Sequence, residues 1–156
     1  MLKLQVQQAT PGDLGAVLPM MTTFYGGFGH AFDPARTEAA LVTLLADPTL
    51  GVVWLLIEGQ ELVGYLVVIP FLSLEYGGIT ALLDELYVAE AARGRGIGVQ
   101  ALAAVESYAR AAGMRAVMLE VDHSNQSARR LYERNGYRAV ERDVLVRQLD
   151  EPGAEA

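Results

Sequence analysis

The sequence has no cysteine, which excludes disulfides, thiolate metal sites and a cysteine nucleophile. Histidine is nearly as scarce: His30 and His123 lie far apart and form no ligand cluster. Basic residues are in the minority. Lys and Arg number 12 against 19 Asp and Glu, for a formal net charge of -7. No basic stretch is long enough to follow a phosphate backbone, which argues against a nucleic-acid partner. Long apolar runs are missing too, because Glu, Gln and Gly interrupt each one before membrane-spanning length. The start, Met1 to Gln5, turns polar too soon for a signal peptide. The expectation is a soluble cytoplasmic protein with no membrane partner.

What is present is core material. Hydrophobic residues make up 52% of 156 residues, enough for one domain, and the 20% of charged residues argues against disorder. Leu2, Leu4 and Val6 alternate with polar residues as a half-buried first strand. Thr10-Pro11-Gly12-Asp13 carries the capping signals of a helix running towards Tyr25. A loop follows at Tyr25 to His30. Asp33-Pro34 caps a second helix with Ala40, Leu41, Leu44 and Leu45 on its apolar face. Gly51 to Ile57 and Leu62 to Phe71 are β-rich around the turn Glu58-Gly59-Gln60, and Ala81 to Val88 is a further strand. Short turns between these strands imply an antiparallel sheet. Helical spacing then returns from Gly98 to Ala112, and Gly113 stops it. Ala116 to Val121 reads as a strand, Ser124 to Arg134 as a helix, and Tyr137 to Val140 and Val144 to Leu149 as closing strands. The organisation expected is one domain over 1–150 and a loose tail over 151–156.

The most informative segment joins the strand Leu83-Asp84-Glu85-Leu86-Tyr87-Val88 to Arg93-Gly94-Arg95-Gly96-Ile97-Gly98. Strand, glycine turn and helix follow one another. Glycines let backbone N–H groups approach an anion, and a helix start favours a phosphate there. Arg93 and Arg95 add charge and forked donors. Gly96-Ile97-Gly98-Val99-Gln100-Ala101 also fits a dinucleotide fingerprint, with Glu120 near the expected distance. Three features count against that reading. Ala89 to Gly94 separate the fingerprint from its strand, several strands precede it, and too little chain follows for a doubly wound sheet. A Walker A loop is excluded because no Gly-Lys-Ser or Gly-Lys-Thr ends the turn.

Arg93-x-x-Gly96-x-Gly98 resembles the Gln/Arg-x-x-Gly-x-Gly/Ala signature of the GNAT (GCN5-related N-acetyltransferase) superfamily. Asn125 to Tyr137 resembles that family's asparagine-to-tyrosine helix with its Gly-Phe/Tyr exit, at the family's usual separation. The likeness covers roughly Ala81 to Val140. Leu83 to Val88 resembles most closely the diamine and polyamine acetyltransferase branch. The resemblance implies an α/β (α+β) fold: a mixed, mostly antiparallel sheet of six to seven strands, flanked by about four helices, with a splayed central strand pair. It implies acetyl-CoA as co-substrate, no metal, and a primary amine as acceptor (a small amine, polyamine, aminoglycoside, amino acid or peptide). By the same likeness, the backbone of Leu86 and Val88 pairs with the pantetheine arm, and Tyr87 between them belongs to the cofactor-binding stretch. Amides around Arg93, Gly94, Arg95, Gly96, Ile97, Gly98 and Val99 hold the pyrophosphate, and Asn125 and Ala128 form the opposite lip. Dimers are common in the family, and a strand from Val144 to Leu149 could pair across subunits.

Acetyl transfer to an amine needs a neutral nucleophile, a donor for the carbonyl oxygen and a proton for the leaving thiolate. With no cysteine for a covalent route, direct attack in a ternary complex is the simplest mechanism. The motif position of Tyr132 implies the acid. Asp84 and Glu85 are candidates for the base, Glu85 preferred; neighbours on a strand face opposite ways unless a bulge intervenes. Glu120 could bind the substrate cation. Tyr25, Phe28, His30 and Phe32 could build an acceptor wall, or could be loop and core aromatics; His123 reads as a solvent-facing turn residue. A non-catalytic acyl-CoA-binding regulatory module is the alternative function.

Overall fold

The computed structural model describes residues 3–27 and 32–149. The chain runs β1 (Leu4–Gln8), a 3₁₀ turn (Pro11–Asp13), α1 (Leu14–Gly26), α2 (Pro34–Ala46), β2 (Val52–Glu58), β3 (Glu61–Ser73), β4 (Gly78–Val88), α3 (Ile97–Ala111), β5 (Val117–Leu119) and α4 (Gln126–Arg134). Helix starts follow their capping residues. Thr10 and Asp13 close a reciprocal box, and Asp33 accepts from the amides of Ala35 and Arg36. The five strands lie in sequence order; β1 to β4 pair antiparallel and β4 pairs with β5 in parallel.

Helices cover both faces of the sheet, so β2 and β3 are apolar on both sides and read as nearly continuous hydrophobic runs. One face packs Leu56, Leu66, Val68, Ala81 and Leu83 against Ile97, Leu102 and Val105 of α3. The other packs Val53, Leu55, Tyr65 and Val67 against Val17 and Met21 of α1 and Leu41 of α2.

Two bulges interrupt the alternation, and each inverts which side chains meet which face. In β3, Leu62 and Gly64 oppose Ile57 and Leu56, so Val63 is the extra residue. In β4, Leu83 and Glu85 oppose Val68 and Val67, so Asp84 is the extra residue. Ala81 and Leu83 face α3 before it, and Leu86 and Val88 face α3 after it. Glu85 and Tyr87 are thereby turned to the α1 side.

Among the described residues the sheet has five strands, not the six to seven expected. Tyr137–Val140 and Val144–Leu149 have strand-like composition but join no ladder of the sheet. The outer edge of β5 faces an open cleft of about 1530 Å³. Across that cleft, Arg142 is held by both carboxylate oxygens of Glu75 at the β3–β4 turn. The residues after it leave the core, with Leu145 92% and Leu149 91% exposed. Without a ladder, alternating apolar residues do not make a strand. The splayed pair is accordingly the last pair of the sheet rather than a central one.

Candidate active site

β4 and β5 pair only over Ala81–Leu83 and Val117–Leu119. Beyond Leu83, β4 runs on to Val88 while β5 ends at Leu119, which leaves a slot in the sheet. The Ala81 amide bonds to the Ala116 carbonyl on the β5 side, and the Ala89 amide bonds to the Val63 carbonyl on the β3 side. Counting through the extra residue at Asp84, the backbone groups of Leu86 and Val88 face the slot.

The glycine turn lies at the end of β4. Gly94 and Gly96 hold φ of 77° and 78°, a region that costs any residue with a Cβ. The first helical bond of α3 links the Gln100 amide to the Gly96 carbonyl. The amides of Ile97, Gly98 and Val99 precede it, at the positive end of the helix dipole. The two arginines are already engaged. Arg93 donates to the Val88 carbonyl at 2.9 Å. Arg95 pairs with Glu58 at 3.0 Å and donates to the Ala91 carbonyl at 2.7 Å. Ion pairing to Glu58, a partner absent from the sequence reading, offsets one of the charges expected to meet an anion.

Residues 19–137 match the Acetyltransferase (GNAT) family. The chain belongs to that family. The uncharacterized N-acetyltransferase YhfO of Bacillus subtilis (strain 168) is 30% identical over 134 residues, 86% of this chain and 89% of that protein. Among solved structures, an integron cassette protein from the mobile metagenome of Cole Harbour Salt Marsh aligns with a TM-score of 0.82 at 34% identity, over 95% of this chain and 92% of that one. A predicted acetyltransferase from Clostridium acetobutylicum, crystallised with acetyl-CoA, shares the fold at a TM-score of 0.77 and 14% identity, over 96% and 99% of the two chains.

In this GNAT acetyltransferase the acids at the bulge have different surroundings. Glu85 is 7% exposed. It accepts from the Tyr25 hydroxyl, and from the Tyr65 hydroxyl at 2.6 Å. Burial raises its pKa above the ordinary carboxylate range, the two hydroxyls lower it, and neighbouring Asp84 raises it again. Asp84 lies at the surface, and partial desolvation raises its pKa. Tyr25 and Tyr65 are both raised, first by burial and then through Glu85. The aromatic setting is dense: Tyr25 stacks on Phe32 at 5.1 Å, and Tyr65 lies 5.8 Å from Tyr87. Phe28 and His30 lie outside the described residues.

Tyr132 is on the opposite face. It packs with the α3-side core, 6.0 Å from the ring of Tyr137, and burial raises its pKa. Tyr132 and Glu120 both line the cleft beside β5. The Asn125 side chain accepts from the Ala128 amide at 3.1 Å and caps α4. Gly98 is where α4 crosses α3, and a Cβ there would meet Leu131 Cδ2 at 2.9 Å. His123 is exposed. Among the described residues, no group of three or more His, Cys, Asp or Glu could hold a metal ion, and no helix is long and apolar enough to cross a membrane.

Sequence reasoning missed Tyr65 and Gly64. Tyr65 sits within an apolar run, and its role depends on its register opposite Tyr87, next to Val67 opposite Glu85. No local signal carries that information.

Proposed function

We propose that this chain moves an acetyl group from acetyl-CoA to a primary amine by direct attack in a ternary complex. The observation that carries the reading is the slot between β4 and β5, with the backbone of Leu86 and the Val88 amide along one wall and the α3 amides at its mouth. These groups fit the cofactor. Leu86 and Val88, with Tyr87 between them, would bind its arm along the strand edge, in the manner of an added strand. The amides from Gly94 to Val99 would hold the diphosphate, and Asn125 and Ala128 would form the other lip. Acetyl-CoA, when bound, supplies an activated thioester.

The chain's own residues handle protons and orientation. Glu85 is the proton acceptor on the α1 side, with Asp84 beside it. Tyr132 Oη is the proton donor on the α3 side. Glu120, Tyr25 and Phe28 are assigned to the acceptor. The paired acids, the overall charge and the likeness of Leu83–Val88 to the polyamine branch favour a cationic amine, in the range from polyamine and aminoglycoside to amino acid or peptide.

A thiol-release screen of amines with acetyl-CoA tests the reading. Release with at least one amine is expected. Acetyl-CoA binding without release for any amine would leave a non-catalytic acyl-CoA-binding module. A melting shift with NAD and none with acetyl-CoA would favour a dinucleotide site.

A further inference from the structure

Glu85 presents a difficulty for a base that must meet substrate. It is 7% exposed, and each of its oxygens accepts a tyrosine hydroxyl. Tyr65 is 0% exposed, so neither member of that pair reaches an acceptor. Tyr25 is half-buried, stands in the last turn of α1 and stacks on Phe32. Of the three, it is the one with an open side.

We propose, resting on the acetyl-transfer reading, that Tyr25 relays the amine's proton to Glu85, and that Tyr65 is a positioning residue for the carboxylate that receives it. One N–H bond of the bound ammonium breaks as an O–H bond forms on Tyr25 Oη. The original Oη–H bond breaks as an O–H bond forms on Glu85 Oε1. The ammonium becomes a neutral nucleophile, the carboxylate becomes a neutral acid, and the phenol is unchanged. After turnover the proton returns to solvent by the same hydroxyl.

The surroundings suit such a transfer. The groups acting on Glu85 are Tyr25 from α1, Tyr65 from β3 and Asp84 from β4, and no cation is among them. Tyr87 of β4 lies against Tyr65. A buried carboxylate without a cation takes a proton more readily than one in water. A free phenolate at Tyr25 is disfavoured, since burial and Glu85 both raise its pKa. The two proton movements are therefore concerted rather than stepwise. Tyr65 keeps the second oxygen occupied and the first aimed at Tyr25.

The test uses an amine that the wild type acetylates, with kcat and KM measured against pH. Tyr25→Phe and Glu85→Gln are each expected to lower kcat/KM roughly 100-fold or more at neutral pH. The deficit should shrink as pH approaches the amine's own pKa, where the amine is neutral without help. The double variant should be no worse than either single one, because the two residues act as a unit. Tyr65→Phe should move the acid limb of the profile to higher pH with KM unchanged. In ¹³C-labelled protein, the carboxyl titration of Glu85 should move the same way without turnover.

Losses that multiply in the double variant, an effect of Tyr25→Phe on KM alone, or an unmoved Glu85 titration in Tyr65→Phe would each overturn the proposal. Turnover in the wild type with any of these results sinks the relay and leaves the acetyl-transfer reading standing. No thiol release from the wild type with any amine removes that reading and the relay together.

Discussion

A Cβ on Gly64 would stand 2.1 Å from the Tyr87 carbonyl oxygen, on backbone that cannot swing aside as a side chain would. Gly64→Ala therefore has to push β3 and β4 apart beside Tyr65 and Val88, the wall of the slot. A loss of about 1–3 kcal/mol of stability is expected, read by denaturant melts, together with weaker acetyl-CoA binding. Tyr132→Phe removes one oxygen from a packed ring. It should leave the melting temperature and acetyl-CoA binding nearly unchanged while kcat falls about 100-fold or more. An unchanged kcat across pH would remove Tyr132 as the acid. Glu85 also makes stability depend on pH. Its pKa is raised in the fold, so the folded state binds the proton more tightly. Its contribution is fully present below the unfolded glutamate pKa and is lost as pH rises through the folded one. Melts of wild type and Glu85→Gln across the acidic range should differ in slope over that window alone. Of these residues, Glu85 and Tyr132 were singled out as candidates by their motif positions. Gly64 was not, because its meaning lies in a neighbouring strand's carbonyl.

At the scale of elements, the local signals were faithful where an element needs nothing beyond itself. Helix starts at Thr10-Pro11 and Asp33-Pro34 were readable because a cap is a contact between residues two or three apart. Strands were readable only in part. The runs of β2, β3 and β4 gave the right segments, but the alternation that names faces fails at Val63 and Asp84, where an extra residue resets it. The same alternation over Val144–Leu149 suggested a strand that has no ladder to join. α4 offers the element-scale prediction. It has nine residues, and Asn125 supplies its side-chain cap through the Ala128 amide. Asn125→Ala should cost about 1 kcal/mol of stability and fray the turn that presents Ala128. Hydrogen exchange at the first α4 amides would show it.

For the whole molecule, the two motifs at their spacing were enough to indicate the family, since each marks a turn that must converge on one slot. The extent of the sheet was not legible, because a free edge is a property of the assembled strands. That edge carries a prediction. The bare side of β5, with exposed Val144 and Leu145 lining the cleft beside it, presents an unpaired strand and apolar surface together. Sedimentation velocity should show self-association that rises with protein concentration, and Leu145→Lys with Val146→Lys should weaken it. A sedimentation coefficient that stays constant over a hundredfold range would count against it. The sheet has one more consequence. Glu85 bonds to tyrosines on its α1 side, and Tyr132 packs with the hydrophobic layer on its α3 side. On the proposed assignment the two residues act through the slot between β4 and β5, where amine nitrogen and thioester sulfur flank one carbonyl carbon. A bulky side chain that narrows the slot would then part the amine's approach from the thiolate's exit, and stop transfer while both hydrophobic layers stay packed.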